Sequence, residues 1–245
     1  LALDLQLAYA FMVLLGFALV LLVRPASAYS SRERHQYYRL QAITLVGAIL
    51  GAKLAVVMGD ALWPLQPFHG WAELALSGRS IVGALLFGFI AAEVAKPLLG
   101  YSLPPNDRFA VVLPFSIATG RLGCWISGCC LGVEMHGPLA MTAADGVSRF
   151  PAALVELGFH LAAGATLLLL WRRKRFAGRL FALYLMAYGA FRFGSEFWRV
   201  TPKAFAGLSA YQWMCLAMVA AGAASFHLRR RPSAPDETNA TASPA

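Results

Sequence analysis

Apolar residues are arranged along this chain in seven long blocks, separated by short polar and charged segments. The blocks cover residues 5–23, 40–59, 80–99, 109–126, 151–171, 180–198 and 208–228. A run of about 18 or more apolar residues is long enough to cross a bilayer's hydrocarbon. Within lipid, only helices and closed barrels satisfy every backbone polar group, and runs of this length predict helices. The pattern therefore predicts an all-α integral membrane protein with about seven transmembrane helices. Glu93, Lys96 and Pro114 interrupt the third and fourth blocks, whose limits are the least sharp. The first block is read as a span although Ala26-Ser27-Ala28 resembles a cleavage site. No basic segment precedes it, its apolar core is long, and Arg24 and Pro25 stand between core and site.

Composition agrees with that class. Of 245 residues, 59% are hydrophobic and 13% charged, which excludes an ordinary soluble domain. A net charge of +9 invites a nucleic-acid reading, but its distribution argues for topology. Arg24, Arg32, Arg34, Arg39, Lys96, Arg108, Arg172, Arg173, Lys174, Arg175, Arg179 and Arg229 to Arg231 fall on one side of the alternating spans. Only Arg79, Arg149, Arg199 and Lys203 fall on the other. The rich side is cytoplasmic by the positive-inside rule, so the N-terminus is expected outside and the C-terminus inside. Residues 1–228 are expected to form one seven-helix membrane domain. Residues 229–245 read as a basic and then disordered tail, since Ser, Ala, Pro and acidic residues there show no apolar period.

The informative exceptions are charges inside the blocks, because each ionised side chain in a span costs a few kcal/mol or more. Lys53, Arg121 and Arg192 lie on the second, fourth and sixth blocks, each 12 or 13 residues past the inner end. At 1.5 Å per residue they share a depth of roughly 18–20 Å. Glu156, about 8 Å below the outer end of the fifth block, and Glu196, one turn beyond Arg192, join them. Three cations and two carboxylates leave one positive charge, which suits a phosphate held by guanidinium forks. The competing reading is a set of ion pairs that staple helices together, Arg192 and Glu196 being an i,i+4 pair. Two features favour a ligand. Tyr188, Arg192 and Glu196 form one stripe, and Gly120, Gly123, Gly128 and Gly132 crowd the end of the fourth block.

At these residues the chain resembles the prolipoprotein diacylglyceryl transferase family. Gly120-Arg121-Leu122-Gly123-Cys124-Trp125-Ile126-Ser127-Gly128-Cys129-Cys130-Leu131-Gly132 follows the frame of the family's G-R-x-G-N-F-x-N-G-E-x-x-G signature. Tyr188, Gly189, Arg192, Glu196 and Arg199 reproduce its Y-G-x-x-R-x-x-x-E-x-x-R block in full. Gly47 to Lys53 resembles its G-x-x-x-G-[AG]-R segment with lysine for arginine. Phe150-Pro151 through Glu156 keeps the proline and glutamate of H-P-x-Q-L-Y-E. The resemblance implies transfer of a diacylglyceryl group from phosphatidylglycerol to a cysteine thiol of a prolipoprotein, at a bacterial inner membrane with the site towards the outer leaflet. The implied partners are phosphatidylglycerol, a lipobox-containing prolipoprotein or another thiol acceptor, and membrane lipids, without nucleic acid. Arg121, Arg192, Glu196 and Tyr188 become the candidate catalytic residues. Lys53, Gly83, Gly128, Arg149 and Glu156 become the candidate substrate-binding residues.

The departures bear on chemistry. The family's S-x-H-G-G stretch aligns with Ser80-Ile81-Val82-Gly83-Ala84, so Val82 replaces a histidine that can carry a proton. Cys129 replaces the signature's glutamate and Cys124 its asparagine. The pattern is that of a divergent branch with G-C-x-x-x-G-C-C. The thiols of Cys124, Cys129 and Cys130 are open to three readings: small packing residues, a disulfide that stiffens the outer loop, or a nucleophile beside Arg121. Cys215, in mid-span, reads as packing. Glu134 and His136 of the outer loop are alternative sources of acid–base groups. No cofactor is expected. No metal site is expected either, since neither His136 nor His160 falls in a ligand spacing with the cysteines. Two other functions stay open: a catalytically degenerate or re-purposed member that binds anionic phospholipid, and a membrane thiol–disulfide oxidoreductase.

Overall fold

The computed structural model describes residues 2–21, 23, 30–61, 80–101, 103, 106–130, 132–142, 146–203 and 206–229. Arg24, residues 26–28, Arg79 and the tail 230–245, on which parts of the sequence reading rest, lie outside the described residues. Among those described are seven α-helices, one in each apolar block. They are α1 (Ala2–Leu21), α2 (Ser31–Val56), α3 (Ile81–Leu98), α4 (Asp107–Ile126), α5 (Ala152–Arg172), α6 (Leu180–Ser195) and α7 (Ala210–Leu228). A π-helical turn, Val57–Ala61, extends α2, and a 3₁₀ turn, Glu196–Trp198, follows α6. Four of these are long and apolar enough to cross a membrane: Ser31–Gly59, Ile81–Leu98, Asp107–Ile126 and Ala152–Arg172. α1 contributes a shorter apolar stretch, Leu7–Val20. Phe11, Leu14, Leu50, Val94 and Leu98 are each more than half exposed, a surface that water does not tolerate over such an extent and lipid does. The protein is a helical membrane protein.

Helix limits follow caps more than hydropathy. α2 begins at Ser31, well ahead of its apolar block, because Ser30 caps it. The Ser30 side chain accepts from Glu33 N at 3.3 Å, and the Glu33 carboxylate accepts from Ser30 N at 2.7 Å. This reciprocal box satisfies two donors that would otherwise be orphaned. Ser209 and Gln212 repeat it at the start of α7. One element has no counterpart in the sequence reading. It is an antiparallel ribbon of β1 (Met141–Thr142) with β2 (Ser148–Arg149), whose two-residue strands are too short to show an alternating pattern.

The helices pack chiefly in neighbouring pairs: α2 with α3, α4 with both α1 and α5, and α6 with α7. The α2/α3 crossing is tight because it is built on glycine. A Cβ at Gly83 would lie 2.3 Å from the Gly51 carbonyl oxygen, and one at Gly51 would lie 2.3 Å from the Phe87 Cβ. Close backbone approach of this kind drives association where lipid removes the hydrophobic force between helices. The core gathers Tyr184, Leu185, Tyr188, Met214, Cys215 and Met218 where α6 meets α7. A cavity of about 2390 Å³ remains, lined from α1, α2, α3, α4 and α6. Its volume exceeds the roughly 300–1,000 Å³ of ordinary small-molecule sites.

Candidate headgroup site

Three helix ends deliver the charged residues to one place. Arg121 comes from the last turns of α4, Glu156 from the start of α5, and Tyr188 and Arg192 from consecutive turns of α6. Glu196 and Arg199 follow on the 3₁₀ turn and just after it. Glu156 is the hub. Its Oε2 accepts from Arg121 Nη2 at 2.8 Å and from Arg199 Nη1 at 3.4 Å. Its Oε1 accepts from the Tyr188 hydroxyl at 2.8 Å and faces Arg192 Nε at 3.6 Å. Arg192 Nη2 then forms an ion pair with Glu196 Oε2 at 2.6 Å. Glu156 and Glu196 are 1% and 0% exposed, and the arginines beside them offset the cost of burying carboxylates.

The net charge of this network is positive: three arginines against two glutamates. Its donors are not exhausted. Arg121 Nε and Arg192 Nη1 are buried and meet no acceptor among the described residues. Both arginines, Arg199, Tyr188 and Lys53 line the cavity. Guanidinium donors at the end of an apolar cavity suit an anionic headgroup whose acyl chains occupy the apolar part.

The charged residues expected to converge do so for Arg121, Arg192, Glu156 and Glu196, with Tyr188 against them; Lys53 lines the same cavity from α2. The remaining candidates stand elsewhere. Gly83 belongs to the α2/α3 crossing and is absent from the cavity wall. Gly128, with φ +67°, ends α4 as the residue that must turn left-handed. Arg149 lies on the β2 strand and pairs with the exposed Glu134 at 3.5 Å. Glu196 also accepts from Thr201 Oγ1 at 2.6 Å and Ser209 Oγ at 3.2 Å. Fully buried, with both hydroxyls on Oε1 and its Oε2 against Arg192, it holds Arg192 in place.

Sequence reasoning missed three participants. Arg199 was visible only as a motif position, yet it is the third cation on Glu156. It is brought there by the outer loop. Gly132 N donates to Phe150 O and Val133 N to Trp198 O, both at 3.0 Å, and the rings of Phe150 and Trp198 stack at 5.8 Å. Below the cluster, His160 Nδ1 lies 3.0 Å from the Tyr184 hydroxyl, both buried. The i,i+4 stripe of Tyr188, Arg192 and Glu196 extends back by one step to Tyr184, and Glu156 extends to His160 on the facing helix. That spacing was the available signal.

The three outer cysteines are drawn together by the end of α4. Gly128 N donates to Trp125 O at 3.1 Å and Cys129 N to Cys124 O at 3.0 Å. This 5→2 and 6→1 pair defines a Schellman turn, which sets the third-last helical residue against the second residue beyond the cap. Here those residues are Cys124 and Cys129. Cys130, at φ +59°, turns back as well. The three sulfurs lie within 4.8 Å of one another as free thiols. Contact with the Cys124 and Cys129 thiols holds the Cys130 thiol well below the usual range, and the charges of Arg121 and Arg199 act in the same direction. Cys215 is wholly buried in the core, as expected of a packing residue.

A helical membrane protein with a buried, net-cationic cluster at the end of a large apolar cavity is the class that fold and site define. The family model for prolipoprotein diacylglyceryl transferases matches residues 3–228. A protein of Bordetella parapertussis named phosphatidylglycerol–prolipoprotein diacylglyceryl transferase is 34% identical over 245 aligned residues, covering 91% of each chain. One of the same name from Cupriavidus necator is 30% identical, covering 91% of this chain and 87% of that one. The chain belongs to the prolipoprotein diacylglyceryl transferase family.

Proposed function

We propose that this protein transfers the diacylglyceryl group of phosphatidylglycerol to a cysteine thiol of a prolipoprotein. The carrying observation is the Glu156 hub, with three arginines on one buried carboxylate and two guanidinium donors left over beside a lipid-sized cavity. The reaction is attack of sulfur on an sp³ glyceryl carbon. The S–C bond forms as the C–O bond to phosphate breaks, and glycerol phosphate departs with the electron pair. Its barrier falls when cations already stand where the departing phosphate gathers charge. Arg121 and Arg192 hold that phosphate, with Arg199 at the mouth and Lys53 on the opposite wall. Tyr188 and Glu156 fix the arginine positions, and Glu196 orients Arg192. Seven spans, an outer N-terminus and a cytoplasmic C-terminus accompany this reading, supported by the bias of basic residues to one set of loops. The site then faces the outer leaflet of a bacterial inner membrane, where the thiol acceptor arrives.

The test is purified protein in phosphatidylglycerol vesicles with a lipobox peptide, following glycerol phosphate release and peptide mass. Release matched by a diacylglyceryl mass gain, and lost in Arg121→Ala, is the expected result. Lipid bound without release supports instead the re-purposed lipid-binding member, and overturns the transferase reading.

A further inference from the structure

One need of this chemistry has no residue yet: the acceptor thiol must lose its proton, and the positions that would assist are spent. Val82 cannot titrate, Glu156 serves three arginines, and Glu196 pairs with Arg192 and accepts from Thr201 and Ser209. Beside the arginines, however, stand three sulfurs drawn together, those of the buried Cys124 and the exposed Cys129 and Cys130. Cys129 and Cys130 are 3.8 Å apart and Cys130 and Cys124 are 3.9 Å apart, sulfur to sulfur. Three thiolates at zinc's bond length of about 2.3 Å occupy corners of a tetrahedron with edges of ~3.8 Å. Two edges already have that length. The backbone that brings this about is strained, since Cys130 is a non-glycine residue in the left-handed region, a conformation costing about 1–2 kcal/mol.

We propose that Cys124, Cys129 and Cys130 form a three-sulfur site for one zinc ion, whose open fourth position takes the acceptor thiol. All three sulfurs line the cavity that holds Arg121, Arg192 and Arg199. Cys129 and Cys130 are exposed while Cys124 is buried, so the open corner lies on the accessible side. Three thiolates and Zn²⁺ carry one net negative charge. Arg121 Nη1, 4.0 Å from Cys124 Sγ, stands against it, and Ser127 Oγ donates to Cys129 Sγ at 3.3 Å. A thiol that binds such an ion is deprotonated outright, its proton going to water, and it retains a lone pair for carbon. That pair forms the S–C bond, and the C–O electrons leave on glycerol phosphate beside Arg121 and Arg192. The expectation of no metal site relied on the lack of a spaced histidine; the Schellman turn assembles the ligand set from sulfur alone.

The fourth ligand's identity rests on the transferase reading, so the test reads the metal directly. Reduced, chelator-treated full-length protein in nanodiscs is titrated with cobalt(II) as a spectroscopic substitute for zinc. Thiolate-to-cobalt charge-transfer bands that saturate at one equivalent are expected. They should disappear in Cys130→Ser and persist in Cys215→Ala, and zinc should displace them. A lipobox peptide with its cysteine should shift and strengthen the bands, whereas the serine peptide should not. Absent bands, bands that survive Cys130→Ser, or a spectrum indifferent to the peptide thiol each overturn the assignment. So does a disulfide among the three cysteines that forms in preference to metal binding. Glycerol phosphate release is scored separately. Equal release from metal-free protein removes the zinc role and leaves the transferase standing. A peptide-sensitive spectrum with no release keeps the metal site and sinks the transferase.

Discussion

Arg192→Lys keeps the charge of the cluster and removes its geometry, which makes it the sharpest test of the site. Each of the three guanidinium nitrogens of Arg192 has a separate position: Nε faces Glu156 at 3.6 Å, Nη2 binds Glu196 at 2.6 Å, and Nη1 is unpartnered. A lysine ammonium is a compact point charge and cannot span the two carboxylates while also reaching a phosphate. At least one charged hydrogen bond is lost, worth about 1.5–3 kcal/mol. At 1.36 kcal/mol per decade, that is a fall of roughly 10- to 150-fold in transfer rate. The assay is glycerol phosphate release from phosphatidylglycerol vesicles at saturating peptide, with thermal unfolding of the same samples to separate folding from rate. Arg192→Gln, which brings the cluster's net charge to zero, should be worse still. The reasoning fails if Arg192→Lys stays within about threefold of the wild-type rate in that assay, because charge alone would then suffice.

Glu156→Gln leaves two buried arginines and the half-buried Arg199 facing a neutral amide and should destabilise by about 3–5 kcal/mol. Glu93→Gln, at a partly exposed pairing with Lys96 and Arg229, should cost only ~0–1 kcal/mol; equal unfolding shifts for the two would refute the hub. Gly83→Val drives a side chain into the Gly51 carbonyl and should cost at least ~1–3 kcal/mol, read as a lowered unfolding midpoint, and an unchanged midpoint would deny the tight crossing. Gly132→Ala sets a methyl 2.7 Å from both Phe150 O and Trp198 O. It should lower transfer with little change in phosphatidylglycerol affinity, measured by lipid retention in nanodiscs, because Arg121 and Arg192 sit on helices that the loop does not carry.

How much of this was legible in the sequence depends on the range of the interactions involved. The apolar blocks located all seven helices, because a span must be long and uniform. The depth of Arg121 and Arg192 was also readable, because a helix converts residue count into distance. Glu156 joins them in the structure, as its depth below the outer end of the fifth block led one to expect. The central role of Glu156 was not legible, since which carboxylate collects three arginines depends on how α4, α5 and α6 rotate against one another. Gly83 was ambiguous for a related reason: a glycine that lets a ligand approach and one that lets a helix approach look alike in one dimension. Arg199 and the ribbon depend on backbone bonds between positions 132, 150 and 198, a closure with no periodic signal. The cysteines were readable as a motif, and their convergence required recognising Gly128 as a helix terminator instead of a ligand contact.

The site divides along this same line. Arg121, Arg192, Glu156 and Tyr188 are carried by helices and locked by mutual ion pairs, so the phosphate half is fixed before any ligand arrives. The 3₁₀ turn that follows α6 adds Glu196 to it, fully buried. Arg199 and the thiols of Cys129 and Cys130 lie beyond helix ends and depend on the loop that Gly132 threads between Phe150 and Trp198. The signature's departures at Cys124 and Cys129 fall at the end of α4 and just beyond it, whereas Arg121, Glu156, Tyr188 and Arg192 keep the family pattern. A change of thiol chemistry can therefore be made at the mouth without disturbing the Glu156 ion pairs, because Cys124, the helical residue among the three, touches the cluster only through Arg121 Nη1 at 4.0 Å. On the proposed reading, binding of the departing phosphate and activation of the incoming sulfur fall to separate groups, which is why the arginine and cysteine variants are expected to fail in different measurements.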